Sequence, residues 1–217
     1  MLGLQLTTKT SEPLSVLCLG AHPDDIEIGC GGTVLSLIES YPRIEFWWVV
    51  FSGSAVRARE AAECANAFLK GTEKKEVAVK GFRDGFFPYH GAEIKDYFEG
   101  LKRAVDPDLI FTHYREDRHQ DHRLLHELTW NTFRNHLILE YEVPKYDGDV
   151  GIPNCFVPIS EETLKRKMSL LQRHFPSQAD RHWFADETFR ALPRLRGMEC
   201  AEQYAEAFYC RKTVIPL

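Results

Sequence analysis

The strongest constraint on this chain is a rhythm. Between residues 14 and 135, short apolar runs rich in β-branched and aromatic residues alternate with longer stretches whose apolar positions recur at helical spacing. Strands are expected over residues 14–20, 44–52, 76–79 and 109–112. Helices are expected over 31–40, entered through a Gly-rich turn, over 56–70, stopped by Gly71, over 94–105, ended by Pro107, and over 121–135. Strands separated by helices need crossover connections, and crossovers lay successive strands parallel. The pattern therefore predicts an α/β fold of three layers, with helices on both faces of a mostly parallel central sheet. The last third is less regular. Residues 141–143 and 155–157 are expected as late strands, 160–173 as a helix capped by Ser160, 199–207 as a shorter helix and 208–215 as a terminal strand. No repeat, low-complexity tract or linker divides the sequence, so residues 1–217 are expected to form one domain.

Composition removes several function classes. The net charge of -5 leaves no basic footprint for nucleic acid. The longest apolar run, Phe46 to Phe51, is too short to span a bilayer. The first thirteen residues lack a basic segment followed by an apolar one, so no secretory signal is expected. The six cysteines are scattered without a C-x-x-C pair, which points to reduced thiols and a cytoplasmic location.

Two polar clusters follow expected strands, and ligand sites of open parallel sheets lie at such strand ends. The first is Ala21-His22-Pro23-Asp24-Asp25, which places an imidazole and two carboxylates within four residues. These side chains suit zinc or another first-row divalent ion. Two adjacent acids cannot both point the same way, so one can bind metal while its neighbour stays free as a base. The plainer alternative is a turn and helix cap. The glycines that follow lack the Lys-Ser/Thr of a phosphate loop. The second cluster is Asp117-Arg118-His119-Gln120-Asp121-His122, where two histidines three apart at a helix start turn to one side. His22, Asp25 and one of those histidines would make the open three-ligand set of a catalytic zinc site. Asp121 could orient a histidine through its ring N–H. Alone, this cluster is also a plausible exposed helix start, where acids favour the dipole.

Together these residues resemble the LmbE-like (PIG-L) N-deacetylase family. The resemblance rests on Ala21-His22-Pro23-Asp24-Asp25 with Gly29, Gly31, Gly32 and Thr33, and on His119-x-Asp121-His122. Arg57-x-x-Glu60, Asp84-Gly85, Ser177-Gln178, Arg196-Gly197 and Ala201-Glu202 are similar as well. It implies a Rossmann-like sheet and a divalent metal, usually Zn2+, with Fe2+ as an alternative. Carried over by position, it implies His22, Asp25 and His122 as metal ligands, Asp24 as general base, and protonated His119 as the group that stabilises the oxyanion, supported by Asp121. Arg57 and Asp84 are implied substrate contacts. Some members carry a mobile tyrosine where this chain has Asp117, so that contribution must come from elsewhere, such as Tyr114, or be absent.

The implied reaction is removal of an acetyl group from a small-molecule amino sugar of the N-acetylglucosamine type, free, conjugated or nucleotide-linked. A homo-oligomer is compatible with it. Phe86, Phe87 and Tyr89 are candidates to stack on a sugar face, with core packing the favoured alternative. The charged stretch 190–196 is expected as a solvated face. Competing functions are an amidase acting on a thiol or sugar conjugate and a non-catalytic sugar-binding module. Free Asp24 and His119 argue against the latter, since binding alone needs neither.

Overall fold

The computed structural model describes residues 3–6 and 12–215. Most of the first thirteen residues, read above for a secretory signal, lie outside that set. Strands β1 (Leu14–Gly20), β2 (Ile44–Ser52), β3 (Lys74–Phe82), β4 (Leu109–His113) and β5 (Leu137–Tyr141) pair in parallel. Strand β7 (Ala205–Cys210) pairs antiparallel with β5 and with the short strand β6 (Cys155–Pro158). The resulting seven-stranded sheet runs β3-β2-β1-β4-β5-β7-β6.

Side chains alternate across the sheet as the pleat requires. Val16 and Cys18 of β1 and Phe46 and Trp48 of β2 face one core, shared with helices α1 (Asp25–Ser40), α2 (Ala55–Phe68), α5 (Glu161–His174) and α6 (Asp186–Glu199). Leu17, Leu19 and Phe51 face the other, shared with α3 (Gly91–Ala104) and α4 (Gln120–Thr132). With both faces covered, β1 is buried along its whole length. Chain order reverses between β1 and β4, so the loops leaving those neighbouring strands frame a crevice.

Five expectations are corrected. Helix α1 begins at Asp25 rather than at residue 31, and Asp24 makes the turn with a left-handed φ of 88°. The glycines expected to form that turn lie inside the helix, where they permit close packing. A Cβ on Gly29 would stand 2.2 Å from the Tyr141 ring, and one on Gly32 would stand 2.9 Å from Glu206 Oε1. Residues 199–207 are not a helix. Helix α6 ends at Glu199, Ala201 turns with φ 64°, and β7 has begun by Ala205. Strand β5 precedes the expected 141–143 segment, and residues 211–215 carry no regular structure. Finally, stretch 190–196 is not wholly solvated, because Arg196 is buried and bonds the Glu142 carboxylate through two nitrogens at 2.9 and 3.0 Å.

Candidate metal centre and active site

Both polar clusters meet at the crevice. Leaving β1, the chain places His22 and Asp25 on either side of the Asp24 turn. Leaving β4, it caps α4 with His119 and puts His122 in the first turn of that helix. His22 Nδ1 lies 3.4 Å from Asp25 Oδ2 and 3.1 Å from His122 Nε2, and His122 Nε2 lies 3.4 Å from the same Asp25 oxygen. Zinc bound tetrahedrally at about 2.0–2.1 Å puts its ligand atoms roughly 3.3–3.4 Å apart, so this triangle has the size of one face of such a site.

The hydrogen bonds behind the two rings fit the same use. His122 Nδ1 donates to Asp117 Oδ2 at 2.8 Å. His22 Nε2 lies 3.0 Å from Asp84 Oδ1 and 3.2 Å from Asp121 Oδ2. With those nitrogens protonated, each ring is left with a lone pair facing the Asp25 carboxylate. Three lone-pair atoms at such distances repel unless a cation or a proton lies among them, and carboxylate-backed imidazoles are the usual ligands of a metal. Burial lowers the His22 pKa, but hydrogen bonds with Asp121, Asp25 and Asp84 outweigh it and hold the ring well above its ordinary value. Burial alone would raise Asp25, yet the charges of His122 and His113, with the close approach of the His113 and His22 rings to its carboxylate, keep it well below the usual carboxylate range. The donor set fits a divalent ion.

Asp24 stands apart from this triangle. Its left-handed backbone turns the carboxylate toward α2, where Arg57 Nη2 donates to Asp24 Oδ2 at 2.8 Å and to the Pro23 carbonyl at 2.6 Å. Burial pushes the Asp24 carboxyl up to about 7 against the pull of Arg57. Arg57 also contacts Glu60, which accepts the Ser177 N–H and hydroxyl at 2.9 and 2.6 Å. These contacts give the Arg57-x-x-Glu60 and Ser177-Gln178 patterns a shared structural role.

His119 is half-buried, its ring edge-on to His22 at 4.8 Å. Its Nδ1 accepts the Asp121 backbone N–H at 3.3 Å. Burial and the charges of His122 and His22 lower its pKa. The Asp121 carboxylate lies in one cluster with His22, Asp84 and the His119 ring, with ligand atoms within 4.8 Å of one another. Beyond His22, its carboxylate accepts the N–H groups of Gly85 and Phe87 at 2.7 and 3.0 Å.

Asp24, Asp25, His22, His119, His122 and Arg57 all line a cavity of about 380 Å³. Asp84 bonds His22 Nε2, lies in one cluster with His119 and Asp121, and is 75% exposed. Phe87 is core, and Tyr89 is 81% exposed. Neither they nor Phe86 line the cavity, whose aromatic walls come instead from Tyr146 and Trp183. Tyr114 stacks on Tyr209 at 3.7 Å beside a separate groove.

Sequence reasoning missed two residues of this site. Asp117 was read as part of the second polar cluster and as the place where a tyrosine is missing, but not as the partner of His122, although an acid five residues before that histidine was the available signal. His113 is fully buried and stacks on His122 at 3.8 Å, and its Nε2 accepts the Ala21 N–H at 2.9 Å. A histidine ending an otherwise apolar strand was the only hint of it.

Known proteins resemble this chain in sequence and in fold. The family model described as PIG-L, GlcNAc-PI de-N-acetylase, matches residues 17–133. A protein of Escherichia coli (strain K12) called uncharacterized deacetylase YaiS is 26% identical over 182 residues, covering 80% of this chain and 97% of that one. The N,N'-diacetylchitobiose deacetylase of Pyrococcus horikoshii superposes with a TM-score of 0.68 at 22% identity, covering 90% of this chain and 82% of its own. GalB, the 4-carboxy-2-hydroxymuconate hydratase of Pseudomonas putida KT2440, superposes with a TM-score of 0.74 at 17% identity, covering 94% and 98%. The fold thus serves more than one kind of water chemistry, and the family is shown by the sequence match over both polar clusters. The chain belongs to the PIG-L (LmbE-like) family of deacetylases.

Proposed function

We propose that this protein is a zinc-dependent N-deacetylase that hydrolyses the N-acetyl amide of an amino sugar, with His22, Asp25 and His122 as the zinc ligands. One observation carries the reading: lone-pair atoms of those three residues face one another at 3.1–3.4 Å on the wall of a cavity that Asp24 also lines without joining them. Zinc held there would supply a Lewis acid and a water acidified to a pKa of about 7. Iron(II) is the alternative ion for the same donors.

The remaining work falls to the side chains. Asp24 takes the proton of the attacking water. A carboxyl raised by burial to about 7 is matched to a proton that is first accepted and then passed to the departing amine. Arg57 fixes the orientation of that carboxylate. His119 has Nδ1 engaged by the Asp121 N–H, so Nε2 carries the ring proton. Its lowered pKa makes this donor a neutral N–H rather than an imidazolium. Such a donor to the acyl oxygen, as that oxygen turns negative, is worth about 3–4 kcal/mol. Asp117 and Asp121 hold the His122 and His22 rings from behind.

Action on a small amino sugar, organisation as one domain and a cytoplasmic location belong to the same proposal. Their support is one continuous sheet, six free cysteines and, among the described residues, no helix long and apolar enough to cross a membrane. The test is acetate release from a panel of N-acetyl amino sugars, with and without a chelator. Release that stops on chelation and returns with added zinc supports the reading. Undiminished release from metal-stripped protein overturns it.

A further inference from the structure

Lys145 lies beyond the family match, which ends at residue 133, yet it lines the cavity together with His119 and His122. It stands in the loop between β5 and β6. Its ammonium is turned inward, donating to Asp117 Oδ2 at 2.9 Å and to Asp149 Oδ2 at 2.5 Å. The side chains of Lys145, Asp117 and Asp149 are only 14%, 3% and 6% exposed. Among the described residues, no other lysine or arginine pairs with either carboxylate. Arg123 of α4 donates instead to the backbone carbonyls of Asp117 and Arg118.

Both carboxylates hold the segment that enters α4. Asp117 Oδ1 accepts the His119 N–H at 2.8 Å, and Asp149 Oδ2 accepts the Arg118 N–H at 2.7 Å. Asp117 Oδ2, the oxygen that Lys145 contacts, also accepts His122 Nδ1–H at 2.8 Å. Two consecutive amides and one metal-facing ring therefore depend on two nearly buried acids that share a single cation. Without that cation the acids repel, and a buried charge stripped of its partner is strongly unfavourable. A lysine lining a cavity is an obvious candidate to contact an anionic substrate. Here the ammonium is already engaged by two carboxylates, so its influence on the reaction passes through them. We propose that Lys145 is a positioning residue of the active site: by neutralising Asp117 and Asp149 together, it keeps Asp117 behind His122 and fixes the segment that carries His119. The consequence for metal binding rests on the zinc reading above, whereas the consequence for the segment does not.

Two measurements on the full chain test this. Hydrogen exchange of the metal-free protein reads the Arg118 and His119 amides, and competition with a chromogenic chelator reads the zinc Kd. Lys145→Met is expected to speed exchange at those amides about tenfold or more and to weaken zinc binding about 10–100-fold. Lys145→Arg keeps the charge, and Lys145→Met/Asp149→Asn removes one negative charge along with the positive one. Both should bring the two readings back to within about threefold of the unaltered protein. At saturating zinc, the loss in Lys145→Met should fall on kcat rather than KM, which a lost substrate contact would not produce. Lys165→Met, at an exposed lysine of α5, is the control.

Unaltered exchange and zinc Kd in Lys145→Met overturn the inference. So does a double variant as defective as the single one, because a packing role is not restored by deleting a second charge. If Lys145→Met alone does not fold, the double variant carries the test: folding with restored protection supports the inference, and failure to fold overturns it. Faster exchange in Lys145→Met, with no zinc bound even by the unaltered protein, would remove the metal and keep the role of Lys145. Equally tight zinc binding by the unaltered protein and Lys145→Met, with equal exchange, would do the reverse.

Discussion

At Asp24 the backbone leaves the right-handed region, a conformation that costs a non-glycine residue about 1–3 kcal/mol. The benefit is a separation of roles, since consecutive carboxylates face different partners, one the histidines and one Arg57. Asp24→Asn is therefore expected to keep its zinc, measured as bound metal per chain, and to lose roughly 10²–10⁴-fold in turnover. Near-normal turnover would remove Asp24 from the role of base. His22→Ala should lose metal and turnover together. Asp117 makes a different kind of contribution. It backs His122 at 2.8 Å, and its carboxyl is driven downward, since burial would raise it but hydrogen bonding to His122 and the charges of His122 and His113 prevail. Replacing such a support commonly weakens metal affinity by about 10–100-fold. Asp117→Asn should do so in competition with a chromogenic chelator, and unchanged affinity would show that His122 needs no backing.

Among the elements, α1 has the greatest influence on the site. Lys167 of α5 donates to the Ile28 carbonyl of this helix at 2.7 Å, and Glu206 of β7 accepts the Gly32 and Thr33 N–H groups at 2.8 and 2.6 Å. The two charges pair with each other at 2.7 Å, both almost fully buried. Removing one member of a buried pair typically costs about 3–5 kcal/mol because its partner is left uncompensated. Lys167→Met and Glu206→Gln should each show that loss in urea unfolding, and the double variant should lose less than the sum. Little of this was legible beforehand. Strands β1 and β2 were readable because central strands buried on both faces are apolar throughout. β3 was read short because an edge strand with exposed residues carries a weaker signal. Helix α6 was missed because Pro193 sits inside it, and the terminal strand expected over 208–215 was set too late because the pairing of β7 with β5 and β6 joins residues far apart in sequence. The two polar clusters were legible because their residue types are rare together after strands. The supporting roles of Asp117 and His113 appear only once helix and strand are brought side by side.

For the whole molecule, the proposed metal would link to stability, because the site joins loops about a hundred residues apart. A ligand that binds only the folded state at 1,000 times its Kd stabilises by about 4 kcal/mol. Saturating zinc should therefore raise the unfolding temperature of chelator-treated protein, and should not do so in His22→Ala. Equal shifts in both would place the stabilising ion elsewhere. The position of β7 has a further consequence. It is the last strand of the described chain, yet it inserts between β5 and β6 and brings Glu206 back to the first helix. During synthesis, the ribosome releases His22, Asp25 and His122 well before Glu206, the residue that braces α1. Chains interrupted short of residue 206 would carry these three side chains without the brace on α1, so the ordering of that helix waits on β7.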